Sequence, residues 1–318
     1  MNKFVKGCLI LVIILAAAGV ALLGTAAFRG FRWAVLREAS QEGKFHIGPV
    51  YLYMDDPFGL SISWGRPGEN GQDAGRGNQR TYTFDGKQIR EMQIDSGSGD
   101  VRICPRDDGG SQVEVSATER NYTHYEVNQS GETLKITGKG SWNGISIGRH
   151  QSSEVTIYVP ENMDLDNLEL YVGAGDLEVE APLTTDGLYV DTGVGDMEVS
   201  EELTVDGDAR IDVGTGNITI YDLNCSGSLD SSCGVGDLEL LGTVRGDIAA
   251  KCGTGDMKIN LKGDSSKYNY ELSCGVGSLY VNGTEYSSLK KNLVIRNGDQ
   301  YPDIFLDTGV GDLDFTLD

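Results

Sequence analysis

Beyond residue 160 the chain alternates apolar and polar positions in short runs, and each run is broken by two glycines one residue apart. Before each glycine pair, every second residue is apolar or small: Leu168, Leu170, Val172, then Leu188, Val190, Thr192, then Ala209, Ile211, Val213. The series continues with Leu229, Ser231, Cys233, with Ile248, Ala250, Cys252, with Tyr270, Leu272, Cys274, and with Ile304, Leu306, Thr308. The residues between them, such as Glu169, Asp191, Arg210, Asp230 and Lys251, are polar. A period of two predicts a strand with one dry and one wet face. After each pair the alternation resumes, at Leu177/Val179, Met197/Val199, Ile218/Ile220, Leu238/Leu240, Met257/Ile259, Leu279/Val281 and Leu313/Phe315. A third, weaker inward position follows at Leu183, Leu203, Leu223, Val244 and Leu261.

The break between the two strands is one recurring phrase, a small residue followed by Gly-x-Gly and then Asp, Asn or Ser. It reads SGSGDVRI, VGAGDLEV, TGVGDMEV, VGTGNITI, CGVGDLEL, CGTGDMKI, CGVGSLYV and TGVGDLDF. The glycines are Gly97 and Gly99, Gly173 and Gly175, Gly193 and Gly195, Gly214 and Gly216, Gly234 and Gly236, Gly253 and Gly255, Gly275 and Gly277, and Gly309 and Gly311. From Gly173 to Gly275 the first glycines lie 20, 21, 20, 19 and 22 residues apart. A fixed period near twenty predicts an all-β parallel solenoid of about eight rungs, because one such unit cannot bury its own apolar side and must stack. A strand follows every Gly-x-Gly, so these glycines are tight structural corners. A dinucleotide fingerprint needs a following helix and a third glycine.

Upstream, the pattern changes twice. Residues 7–28 form an uncharged run rich in Leu, Ile, Val and Ala. At about 1.5 Å per residue the run crosses a hydrocarbon core of about 30 Å as one transmembrane helix, after an N-terminal tail of residues 1–6. A cleaved signal peptide is the rival reading, but its apolar region usually runs about 7–15 residues. Lys3 and Lys6 precede the span and Arg29, Arg32, Arg37 and Lys44 follow it. Positive charge alone would keep the C-terminal part inside. A short tail followed by a large acidic β domain favours the outside, and an extracytoplasmic domain on a single-pass anchor is the expectation. Residues 29–80 read as a flexible juxtamembrane linker, with GRPGENGQDAGRGN offering almost nothing to bury. The solenoid domain is expected over 81–318, with 81–160 an irregular capping part and 161–318 the regular rungs.

Charge and composition narrow the function. The formal net charge of −22 argues against nucleic acid as a partner. The position after the second glycine holds Asp100, Asp176, Asp196, Asn217, Asp237, Asp256, Ser278 and Asp312. Stacked carboxylates repel, and two remedies exist: hydrogen bonds from corner N–H groups, or calcium bridging neighbouring rungs. Asn217 and Ser278 suit the first, so no cofactor is expected and calcium is the lesser alternative. Cys233, Cys252 and Cys274 occupy one equivalent site and read as a ladder of small buried side chains, with a bridge between neighbours conceivable. Three ligands in a column make a poor zinc tetrahedron. His46, His124 and His150 lie in no metal or nucleophile motif, and no catalytic or metal-binding residue is assigned.

The segments EMQIDSGSGDVRI and EVTIYVPENMDLDNLELYVGAGDLEVE, with the later Gly-x-Gly-Asp rungs, resemble the bacterial putative-adhesin family, also called the toast-rack domain, over about residues 81–318. The resemblance implies a parallel β-solenoid on the bacterial envelope, sometimes linked with envelope-stress systems. It supplies no catalytic residues, and the cysteine column departs from the family's usual small, Thr or Val occupants. The combined expectation is a non-enzymatic, membrane-anchored surface scaffold, held in the membrane by residues 7–28. It would present Tyr171, Tyr189, Tyr221 and Tyr280 to an envelope protein or wall polymer. A polysaccharide lyase or hydrolase is the alternative, and an envelope-damage sensor a third reading.

Overall fold

The computed structural model describes residues 78–119, 123–140, 153–161, 163–286 and 291–318, together with strands at 46–47, 50–55, 59–64 and 144–147. The expected tail, transmembrane segment and the rest of the linker lie outside the described residues. Among the described residues no helix is long and apolar enough to cross a membrane. The chain divides into two compact units, Met1–Gln72 with Trp142–His150, and Asp73–Ser141 with Gln151–Asp318.

In the first unit, strands His46–Ile47, Val50–Asp55, Gly59–Trp64 and Gly144–Ile147 form an antiparallel sheet in that order. Part of the stretch expected as linker is therefore sheet. VYLYMD and GLSISW are rich in β-branched and aromatic residues, which favour a pleated sheet. Their fourth strand comes from 144–147, far away in sequence, so no local reading joins them.

The second unit is all-β, a 24-stranded sheet whose strands run on from rung to rung. Each rung contributes a strand before its Gly-x-Gly corner and a strand after it. Equivalent strands pair in parallel and in register, for example Leu170↔Val190 and Val190↔Ile211. Beyond the corner the same holds for Leu177↔Met197 and Met197↔Ile218. The positions expected to face inward are the core: Leu170, Val190, Ile211, Leu240, Ile259 and Leu306 are all buried. Val281, at the last turn of the pattern, is only partly buried against that core. The third side is also built as expected at Leu183, Leu203 and Leu223, which pair in register. A bulge after Ile220 then shifts the register, so Leu223 meets Gly242 and Val244 pairs with Cys225. Inward Cys225 belongs to this third side, a place the alternation alone does not reveal.

The stacking order departs from chain order at both ends. Strand Asp303–Val310 pairs with Ile248–Thr254 on one edge and with Asn269–Val276 on the other. The Gly309 rung, last in sequence, therefore lies between the Gly253 and Gly275 rungs. The outer edge of Asn269–Val276 is taken by Lys291–Ile295 running antiparallel, which leaves only its inner edge for the returning chain. At the other end the Gly97 rung lies between the Gly173 rung and an outer layer made of Thr133–Gly140 and Glu154–Val159. That layer is covered in turn by antiparallel strands Thr123–Ser130 and Gln112–Glu119, and Asn78–Asp85 pairs with the latter. Among the described residues the first strand of this unit is Asn78–Asp85, and strands from the 112–159 stretch cover the Gly97 rung at this end.

Candidate functional site

The corners are the most repeated chemistry in the molecule. At Gly195 φ is +142°, and an added Cβ would lie 1.9 Å from the Gly175 carbonyl oxygen one rung away. At Gly193 the backbone is ordinary, yet a Cβ would still lie 2.5 Å from the Gly173 oxygen. The first glycine answers to close approach and the second to both approach and conformation. The seven corners from Gly173/Gly175 to Gly309/Gly311 follow this pattern, while at the Gly97/Gly99 corner both glycines have positive φ, +61° and +154°.

The acidic residue after each corner is tied to the next rung. Asp176 N–H donates to Asp100 Oδ1 at 3.1 Å, Asp196 N–H to Asp176 Oδ1 at 3.0 Å, and Asn217 N–H to Asp196 Oδ1 at 2.7 Å. The chain of bonds goes on through Asp237 N–H to Asn217 Oδ1 at 2.9 Å and Asp256 N–H to Asp237 Oδ1 at 2.8 Å. It ends with Asp312 N–H on Asp256 Oδ1 at 2.8 Å and Ser278 N–H on Asp312 Oδ1 at 2.6 Å. One oxygen of each stacked carboxylate therefore faces a backbone donor, and Asn217 fills the same role without charge. Among the described residues no group of three or more His, Cys, Asp or Glu side chains is arranged to hold a metal ion.

A second corner escaped the sequence reading. Asp206-Gly207-Asp208, Ser226-Gly227-Ser228 and Arg245-Gly246-Asp247 recur at nearly the same period. Gly227 N–H bonds to the Gly207 carbonyl and Gly246 N–H to the Gly227 carbonyl, both at 2.9 Å. Ser228 N–H donates to Asp208 Oδ1 and Asp303 N–H to Asp247 Oδ1, each at 2.8 Å. The signal was the repeated central glycine, hidden because its flanking residues vary.

Just inside the first corner, the position expected as a cysteine ladder holds, in stack order, Ser96, Val172, Thr192, Val213, Cys233, Cys252, Thr308 and Cys274. Cys233 pairs with Cys252, but Thr308 stands between Cys252 and Cys274, so the three cysteines are not consecutive. Cys104, Cys225, Cys233, Cys252 and Cys274 are all buried free thiols. The thiols have work to do: Cys233 Sγ donates to the Gly216 carbonyl and Cys252 Sγ to the Gly236 carbonyl, each at 3.2 Å, and Cys274 Sγ to the Gly311 carbonyl at 3.3 Å. These thiols, like the Ser96 hydroxyl on the Gly99 carbonyl at 3.0 Å, satisfy an inward-turned corner carbonyl, whereas the buried Thr192 and Thr308 hydroxyls in the same column have no hydrogen-bond partner among the described residues.

Outward side chains also bond along the stack. Arg102 Nε meets Glu178 Oε2 at 2.6 Å, Lys258 Nζ meets Glu239 Oε1 at 2.7 Å, and Ser232 Oγ donates to Asp212 Oδ1 at 2.6 Å. Of the four tyrosines, Tyr171 and Tyr189 are neighbours on one face, with ring centroids 5.3 Å apart. Tyr221 and Tyr280 lie on strands after the first corner and so belong to the other face. An open groove of about 450 Å³ runs past Asp208, Arg210, Ser228, Asp230 and Asp247. His124 Nδ1 lies 2.7 Å from Glu119 Oε1 in the capping layers. The side chain of His46 and all of His150 lie outside the described residues.

At the tip of each first corner, between its glycines, sit Ser98, Ala174, Val194, Thr215, Val235, Thr254, Val310 and Val276 in stack order. All eight are uncharged and outward. Val194, Val235, Val310 and Val276 are 57, 52, 49 and 67 % exposed. The column is a continuous ridge between two strips of glycine.

Comparison with known proteins matches residues 89–303 to the family described as Toastrack DUF4097. Among solved structures the chain is similar to a putative cell adhesion protein from Clostridium sporogenes, at 13% identity, covering 76% of this chain and 100% of that one, with a TM-score of 0.33. It is similar to a putative adhesin from Bacteroides fragilis, at 13% identity over 76% and 97% of the two chains, with a TM-score of 0.32. A putative adhesin from Parabacteroides merdae gives 13% identity over 76% and 97%, with a TM-score of 0.23. No curated protein matches the chain.

Proposed function

The chain belongs to the Toastrack DUF4097 family, and from that premise we propose a non-enzymatic, membrane-anchored envelope scaffold whose parallel β-solenoid presents its outer face to an envelope protein or wall polymer. The observation that carries this reading is where the polar side chains are spent. Corner carboxylates, inward thiols and outward ion pairs bond mainly to the neighbouring rung, as Asp196 does to Asn217, Cys233 to Gly216 and Arg102 to Glu178. Groups held in this way fix a surface in place before any partner arrives, which lowers the ordering cost of contact. Reaction chemistry instead needs a nucleophile, base or acid converging on one point.

In this reading residues 7–28 hold the chain in the membrane and the solenoid lies on the extracytoplasmic side. The test is protease treatment of intact cells producing the full chain with an epitope tag after Asp318. Loss of the tag from intact cells is the expected result. Loss only after the cells are permeabilised would place the solenoid inside and end the scaffold reading. Incubation of the purified chain with acidic glycans is expected to yield no unsaturated or shortened sugars.

A further inference from the structure

The ridge of corner-tip residues has a chemistry that the stack itself does not use. Its valines are about half exposed or more, and glycines on both sides leave it standing clear of other side chains. An uncharged β-branched row of this length is a surface feature that marks contact sites on soluble proteins. Charge brackets it on both sides. One flank is the corner column, with six carboxylates: Asp100, Asp176, Asp196, Asp237, Asp256 and Asp312. The other flank carries Asp95, Asp191, Asp212 and Asp307; its cations are Arg210, whose Nε lies 2.8 Å from Asp212 Oδ2, and Lys251, which lies over the Phe305 ring at 5.7 Å.

We propose that this ridge is a docking site for a cationic amphipathic helix, one that lays an apolar seam along the corner tips and sets Lys or Arg rows against the two acidic flanks. A second copy of the chain is a poor occupant, because two ridges face to face would put acidic rows against acidic rows. An anionic bilayer is repelled for the same reason. The geometry sets the helix length. Seven rung intervals of about 4.8 Å give a ridge of roughly 34 Å. At about 1.5 Å per residue that is a helix of roughly 22 residues. A helix about 10 Å wide covers on the order of 340 Å² there, well below the roughly 800 Å² per partner of a standard stable interface. The contact is therefore of the weak, transient class, and strongly weakened by salt.

This inference rests on the scaffold reading and names its partner. The binding test below uses purified protein and reads the ridge alone, whereas protease accessibility reads the scaffold, so either can fail separately. The full-length chain, carried in nanodiscs of zwitterionic lipid, is titrated into a fluorescent 22-residue Leu/Lys amphipathic helical peptide and followed by anisotropy against empty nanodiscs. Expected are saturable binding, and at least tenfold weaker binding of a peptide of equal composition scrambled to abolish the seam. The combined variant Val194→Ser, Val235→Ser, Val310→Ser keeps the charge and is expected to weaken binding at least tenfold. The combined variant Asp196→Asn, Asp237→Asn, Asp256→Asn keeps each Oδ1 acceptor and is expected to weaken binding and flatten its salt dependence. Equal affinity for both peptides, or a serine variant within twofold of the parent, would reduce the effect to general charge attraction and overturn the proposal. So would self-association that the serine variant abolishes, since the ridge would then be a contact between copies.

Discussion

At the scale of single residues, the corner explains why glycine and aspartate recur together. Glycine lets the backbones close, and the residue after it hands one side-chain oxygen to the next rung's N–H. Asp196→Ala removes that acceptor from Asn217 N–H and is expected to cost about 0.5–1.5 kcal/mol in urea unfolding, while Asp196→Asn stays close to the parent. The thiols follow the same logic from inside. Burial, aided by Glu180, pushes the Cys104 thiol up to about 12, and burial also raises Cys225. Cys233, with burial behind it, pushes its neighbour Cys252 up, while Cys252 lowers Cys233 in turn. Raised thiols stay protonated and poorly nucleophilic at neutral pH. All five described cysteines are buried, so Ellman's reagent is expected to leave them unreacted over minutes in the native chain and to count all six thiols of the sequence in guanidinium. A count of four in denaturant would show that a bridge had formed.

At the scale of elements, alternation says which face of a strand is dry but not which strand lies beside it. The strand Asp303–Val310 is flanked on both edges, so its inward residues pack between two rungs. Leu306→Ala at the centre of that strand is expected to cost about 2–5 kcal/mol, as a buried leucine does. Val294→Ala, on the exposed face of Lys291–Ile295 at the end of the stack, is expected to stay within about 0.5 kcal/mol. Equilibrium denaturation of the two variants checks the contrast, and equal losses would contradict the placement of the last rung. The strands at 46–64 make the same point for the first unit. Their composition announces sheet, but pairing with Gly144–Ile147 needs a segment about eighty residues away.

At the scale of the second unit, the two rungs nearest the sequence ends are not the outermost layers of the stack. The Gly97 rung is covered by Thr133–Gly140 and Glu154–Val159, and the Gly309 rung by the Gly275 rung. Simple repeat arrays fray from their terminal repeats inward. Here the first and last Gly-x-Gly rungs in sequence are held one layer in, and antiparallel strands close the open edges that would otherwise recruit other chains. Hydrogen–deuterium exchange read by mass spectrometry is expected to show Glu91–Asp95 and Asp303–Val310 as protected as the central rungs. Thr123–Ser130, Thr284–Tyr286 and Lys291–Ile295 are expected to exchange first. Early exchange across residues 303–318 would mean that the last rung lies at the end of the stack after all.

The sequence alone determined the period, the inward face of the rungs from Gly173 onward, the corner glycines and the family resemblance. Each of these is local: side chains alternate along a strand, and a Cβ either fits at a corner or strikes the carbonyl beside it. The tertiary structure decided everything that depends on choosing a neighbour. It set Thr308 between Cys252 and Cys274, paired Leu223 with Gly242, joined 144–147 to the first unit, and lined up the corner tips into one uncharged ridge between acidic rows. Successive rungs offer nearly the same hydrogen-bonding edge, so their own residues do not discriminate among partners. The choice falls to the connecting segments and to the antiparallel strands that occupy the outer edges first.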